Sequence, residues 1–139
     1  MRYPGEIIEL ASTIVDLYAT FARYRRNQHV LGCPCCVTGE EQDRLVEHRL
    51  ADVPAEALEP FAFAALYTWG TLNDFKHFLP RILELEAEGT LGTDLQVVYG
   101  KLVHEEEGPW PDAERRALER FTRSFFVEVV SSRARGSLA

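Results

Sequence analysis

The chain has 139 residues, 46% of them hydrophobic and 27% charged, and a formal net charge of −7. That balance describes one globular domain able to bury a core without disulfide or metal support, and it excludes a disordered chain. The acidic sign excludes nonspecific binding to nucleic acid or to an anionic membrane surface, both of which need a basic face.

In chain order, the first periodic segment runs from about Glu6 to Gln28. Ile7, Leu10, Ile14, Leu17, Phe21 and Tyr24 recur at helical spacing, and Arg23, Arg25 and Arg26 near the end suit the helix dipole. Gly32 and Pro34 make Val30 to Val37 a loop. Thr38 and Glu41 stand at the spacing of a capping box and open a second helix to about His48. Asp52-Val53-Pro54 opens a third, with Pro54 at the first helical position, and Pro60 either kinks it or begins a fresh one. Phe61 to Trp69 is apolar almost all round, which predicts the most buried helix, ended by Gly70.

Thr71 to Asn73 supply caps for a helix that runs to Glu88, stops at Gly89 and kinks at Pro80. Thr93 and Asp94 open a segment to about His104. Val97 and Val98 favour a strand there, but a lone strand has no partner for its backbone, so the segment reads as helix. Pro111 begins the last helix, to about Val130, with Ala117, Leu118, Phe121, Phe125 and Val129 as its apolar stripe. The sum is an all-α fold, a compact bundle or stacked hairpins of about six helices, forming a single domain over residues 1–139 with 132–139 as a frayed tail.

No stretch is long and apolar enough to span a bilayer, and Glu6, Glu9 and Asp16 interrupt what a signal peptide would need as its apolar region. A cytoplasmic location follows, in which the three cysteines are reduced and no structural disulfide is expected. From Glu84 to Glu107 there are seven acids against Lys101 alone. Such a segment is a solvated surface or a landing site for a basic partner.

Cys33-Pro34-Cys35-Cys36 is the most unusual local feature. Cys33 and Cys36 form a C-x-x-C pair just ahead of a predicted helix start, a place that favours the thiolate. One reading is zinc: His29 and His48 flank the pair, so Cys33, Cys36, His29 and His48 supply four ligands of the right kind, at a spacing that matches no familiar zinc finger. A second is thiol redox chemistry, although thioredoxin-like proteins set C-P-x-C after a β-strand, and here a long helix precedes it. The third is packing of small thiols in a tight interhelical loop.

The segment Trp69 to Arg81 carries a second constellation. Asp74, His77, Arg81, Glu84 and Glu88 share one helix face, opposite Leu72, Phe75, Leu79, Ile82 and Leu83. Asp74 beside His77 is an acid–base arrangement, and Arg81 is a candidate anion clamp; the alternative is a salt-bridged helix surface. Gly-rich phosphate loops, H-E-x-x-H and G-x-S-x-G are absent. Trp110, between two prolines, reads as a packing anchor at a helix start, and Glu105-Glu106-Glu107 as a solvated loop.

The C-P-x-C-V loop after a first helix, together with W-G-T-x-x-D-F-K-H-F-L-P-R-I-L-E-L, resembles an uncharacterised family of small bacterial proteins. The resemblance spans Tyr18 to Phe125 and is most specific over Trp69 to Leu85. It implies an α-helical bacterial protein with no established activity, and in its pattern Cys35 is a variable position. These features together favour a non-enzymatic domain acting through a protein partner, with the cysteine loop as a candidate zinc site. The rivals are a small enzyme using Asp74, His77 and Arg81, and a thiol-redox protein.

Overall fold

The computed structural model describes residues 9–102 and 110–138, with side chains through residue 131. It is all-α. Among the described residues six helices follow one another: α1 (Leu10–Phe21), α2 (Gly39–Leu45), α3 (Ala55–Ala64), α4 (Leu72–Glu88), α5 (Leu95–Leu102) and α6 (Asp112–Leu138), with one turn of 3-10 helix at Leu50–Asp52. Among the described residues there is no sheet, only isolated bridges of Trp69 with Gly32 and Ala65. The predicted starts at Glu6 to Ile8, the predicted end at His104 and the Glu105–Glu107 run lie outside the described residues. The contacts divide the chain into two compact units, Met1–Thr20 with Trp110–Ala139, and Phe21–Pro109.

The first unit holds α1 up to Thr20, and α6. Leu17 is buried on α1, and so is Thr13, whose hydroxyl donates to the Leu10 carbonyl at 2.7 Å. That bond satisfies a polar group that burial would otherwise penalise. On α6 the stripe predicted from spacing faces inward: Ala117, Leu118 and Phe121 are buried, and Phe125 stacks on Phe121 at 5.8 Å. Trp110 is buried just ahead of the helix, as an anchor should be. Asp16 and Arg120 form an ion pair at 3.2 Å. Helix α6 continues through Leu138, beyond the predicted end near Val130.

In the second unit, α3 packs against α2, α4 and α5, and the 3-10 turn packs on α4. The capping box of α2 is present as read: the Thr38 hydroxyl accepts from the Glu41 amide, and the Glu41 carboxylate accepts from the Thr38 amide at 2.9 Å. Both ends of α4 also fall where the sequence puts them. Thr71 and Asp74 form a capping box, and Gly89 closes the helix in the left-handed conformation at φ 74°.

Several expectations need correction. Helix α1 stops at Phe21 and not near Gln28; beyond it the Tyr24 carbonyl and the Asn27 amide are bonded to side chains of α4. Pro54 is the cap of α3, not its first helical residue, and α3 runs unbroken through Pro60. Helix α4 is also continuous through Pro80, which is buried, a continuity compatible with the bend the sequence places there. The apolar run to Trp69 is not one helix. Helix α3 ends at Ala64; Leu66 then takes φ 71°, and its amide donates to the Trp69 carbonyl at 3.3 Å, so the chain turns back on itself. Phe63 at the end of α3 and Tyr67 on that turn are exposed, and α4, not this run, is the deeply buried helix.

Candidate functional site

The cysteine turn and the face of α4 both lie in the second unit, and they are built differently. On α4, Asp74 is buried with only 1% of its surface exposed. Its Oδ1 accepts the Asn27 amide at 2.8 Å, and its Oδ2 accepts the Thr71 amide at 2.9 Å and Asn27 Nδ2 at 3.1 Å. Three residues on, His77 Nδ1 stands 2.9 Å from the Tyr24 carbonyl. A carbonyl only accepts, so Nδ1 carries the proton. Burial pushes the His77 pKa down, as does Arg26, while the Tyr24 carbonyl and Asp74 pull it up less strongly. The imidazole is therefore held neutral.

Lys76, also buried, donates to the Tyr24 hydroxyl at 3.1 Å and lies 4.8 Å from its ring centroid. Arg81 Nε donates to the Val53 carbonyl at 2.9 Å, and its Nη1 pairs with Glu84 at 2.8 Å. The Asp74, Lys76, His77 and Arg81 side chains thus bind the segments before α2 and before α3 to α4. A cleft of about 550 Å³ opens at the N-terminal end of α4, lined by Arg25, Asn27, Thr71, Leu72 and Asn73; Asp74, His77, Arg81 and the cysteines do not line it.

The cysteine turn is anchored from both sides. The Cys33 amide donates to the Thr68 carbonyl at 2.6 Å, and the Gly70 amide donates to the Leu31 carbonyl at 3.1 Å. The Gly32 amide donates to Gln42 Oε1 at 3.2 Å. Trp69 fixes the strand of chain ahead of the turn, with its indole N–H donating to the Val30 carbonyl at 2.7 Å and its ring edge-on to Phe61 at 5.4 Å. Gly32 has to be glycine: a Cβ there would lie 2.6 Å from Val37 Cγ2 and 3.0 Å from the Thr68 oxygen.

Within the turn, the Cys36 and Val37 amides both donate to the Cys33 carbonyl at 2.9 Å. An i to i+3 bond brings the two Cα atoms within the span a disulfide bridges. All three cysteines are free, Cys33 half-buried and Cys35 and Cys36 exposed. The Cys35 amide is the largest influence lowering the Cys33 pKa, followed by the Cys36 thiol; burial opposes them. Cys36 is pushed up, chiefly by the neighbouring Cys33 thiol and its charge and then by burial. The pair is thus asymmetric for a reason other than the one the sequence suggests. Helix α2 has only seven residues, and it is the turn's own amides and thiols that act on Cys33.

His29 and His48 are exposed, and the fold does not gather them with the thiols. Among the described residues no group of three or more His, Cys, Asp or Glu is placed to hold a metal ion, so the four-ligand zinc set does not assemble. Sequence spacing did not reveal Gln42, Thr68 or the Cys35 amide as parts of this site. Only the glycine directly before Cys33 signalled a close backbone approach. No helix is long and apolar enough to cross a membrane among the described residues. No family model, curated protein or solved structure matches the chain.

Proposed function

We propose that the chain is a thiol–disulfide exchange protein in which Cys33 attacks and Cys36 resolves. The observation that carries this reading is the hydrogen-bonded Cys33–Cys36 turn, with a half-buried and an exposed free thiol at its two ends. The opposite shifts of the two thiols support the division of labour. A lowered pKa gives Cys33 the larger thiolate fraction near neutral pH, and the thiolate is the attacking species.

The step balances as follows. The Cys33 thiolate attacks one sulfur of a disulfide R–S–S–R′, forming Cys33–S–S–R and releasing R′–S⁻, which takes a proton from water. Cys36 loses its proton and attacks the Cys33 sulfur, closing the Cys33–Cys36 disulfide and releasing R–S⁻, which is protonated in turn. Two electrons and two protons pass to the substrate, and the protein dithiol is oxidised. In a reducing compartment the dithiol is the resting form.

Alkylation by iodoacetamide as a function of pH, read by peptide mass, tests this. Cys33 should react first and at a pH below that of Cys36, and oxidation should yield one intramolecular disulfide between them. Cys36→Ser should trap a mixed disulfide on Cys33, whereas Cys33→Ser should abolish exchange. Equal alkylation of both at the rate of an ordinary cysteine, with no intramolecular disulfide, defeats the reading.

A further inference from the structure

Independently of the exchange reading, we infer that the Cys33–Cys36 turn binds one soft monovalent metal ion, Cu(I), between its two thiolates, with Cys35 outside the ligand set. The Cys33 carbonyl accepts the Cys36 and Val37 amides, each at 2.9 Å, so the segment is a single helix-like turn of i to i+3 and i to i+4 bonds. On such a turn residues three apart project on the same side, with Cβ atoms about 5–6 Å apart, whereas residues two apart do not face each other. Cys33 and Cys36 therefore share a side that Cys35 does not share with Cys33. Of the two neighbouring thiols, Cys36 accordingly acts on Cys33 more strongly than Cys35 does.

The turn is held in this form by the rest of the fold. The Cys33 amide is tied to the Thr68 carbonyl at 2.6 Å and the Gly32 amide to Gln42 Oε1 at 3.2 Å. Two donors fixed in advance lose little freedom when an ion joins them. The Cys35 amide is the largest influence favouring the Cys33 thiolate, and an outer contact of this kind also orients a metal ligand. Cys33 is half-buried and Cys36 exposed, so an ion reaches the pair from solvent.

The number and softness of the donors choose the ion. Zinc takes four ligands in a structural site and three with a water in a catalytic one. Among the described residues no group of three or more His, Cys, Asp or Glu is placed to hold a metal ion. Two thiolates alone satisfy Cu(I), a filled-shell monovalent ion that accepts linear two-coordination and prefers sulfur. An ion shared by both sulfurs also occupies the thiolate that would attack a disulfide, so the loaded protein does not exchange.

The test titrates the reduced protein, under nitrogen, into Cu(I) held by bathocuproine disulfonate, whose coloured complex fades as the protein takes the ion. The expected result is one ion drawn per chain. Cys36 is exposed, so Cys36→Ser should keep the fold, which a urea midpoint verifies. It should weaken capture by more than about 100-fold, beyond the loss on removing an outer partner of a ligand. Cys33→Ser should do the same, and Cys35→Ser should capture as the wild type does. Iodoacetamide footprinting of the loaded protein, read by peptide mass, should label Cys35 and spare Cys33 and Cys36. No transfer from the chelator, capture that survives Cys36→Ser, or a loss in Cys35→Ser as large as in Cys36→Ser overturns the inference. Peptide-disulfide exchange by the copper-free protein is scored separately. Exchange without Cu(I) capture overturns this inference alone, and capture without exchange defeats the exchange reading alone.

Discussion

Asp74 Oδ1 accepts the backbone amide of Asn27 at 2.8 Å, across 47 residues of sequence. The same carboxylate closes the capping box of α4 through the Thr71 amide. One side chain therefore both starts the most buried helix and fixes where the preceding loop lies on it. Charged hydrogen bonds of this kind contribute about 1.5–3 kcal/mol each, and removing the acceptor leaves buried donors unpaired. Asp74→Ala should cost about 3 kcal/mol in a urea titration, and Asp74→Asn, which keeps one acceptor oxygen, about half of that. A loss below ~1 kcal/mol for the alanine would place Asp74 on an ordinary helix surface.

How much of this was legible beforehand depends on which bonds are local. The capping boxes at Thr38 and Thr71 and the stop at Gly89 are governed by residues within one turn, so spacing found them. The apolar stripe of α6 follows from period alone. Beyond the end of α1 and after the break at Ala64 the chain is held by long-range bonds, from α4 to Tyr24 and Asn27 and from Trp69 to Val30, and no window of sequence contains both partners. The partners of Asp74, His77 and Arg81 are hidden from the sequence for the same reason, although the Arg81–Glu84 pair is local. Polar residues at helical spacing suggest solvent, but here their partners are backbone groups of distant loops. The C-x-x-C pair was visible, while the anchoring by Thr68 and Gln42 was not.

The pH dependence of stability has two opposing contributions. Burial, helped by the charge of Asp94, lifts the Glu86 carboxyl from 4.5 to about 7. The folded state then binds more protons than the unfolded one between those values, so this contribution is present in full below pH 4.5 and lost as pH rises through 7. Glu86 is only partly buried, and after discounting for solvent screening the effect is on the order of 1 kcal/mol. His77 has the reverse sign. Its folded pKa is depressed below 6.5, so protonation favours the unfolded chain and stability falls as pH drops below 6.5. Because the slopes oppose, single variants are needed. Glu86→Gln should gain stability at pH 8 relative to the wild type, with little gain at pH 4.5. His77→Gln should flatten the acid side. Urea midpoints at several pH values read both, and parallel profiles for all three proteins refute the assignment.

Lys101 has 0% of its surface exposed, and burial lowers its pKa. Its ammonium satisfies the Phe63 carbonyl in the last turn of α3, a group that has no partner within the helix. A buried charge with one such bond contributes less than its geometry suggests, because desolvation offsets the attraction. Lys101→Met keeps the volume and removes the charge, and its melting free energy should lie within about 1 kcal/mol of wild type. Lys101→Ala leaves a cavity and should cost about 2–3 kcal/mol. Equal losses for both would mean that the charge, not the packing, holds α5 to α3.

Gly32 and Gly39 flank the cysteine turn and give it a matched pair of tests. A methyl group on Gly32 meets Val37 Cγ2 at 2.6 Å and the Thr68 oxygen at 3.0 Å, whereas at Gly39 nothing lies within 4 Å. Backbone and a buried branched side chain yield poorly, so Gly32→Ala should destabilise by about 1–3 kcal/mol. It should also displace the Cys33 amide from Thr68 and loosen the turn that brings amides to the Cys33 sulfur. The rate of Cys33 alkylation at pH 7 should then fall toward that of an ordinary cysteine. Gly39→Ala removes backbone freedom at the first residue of α2 and should stabilise by up to about 1 kcal/mol, with Cys33 reactivity unchanged. If alkylation of Cys33 is indifferent to both substitutions, its reactivity does not come from the anchored turn.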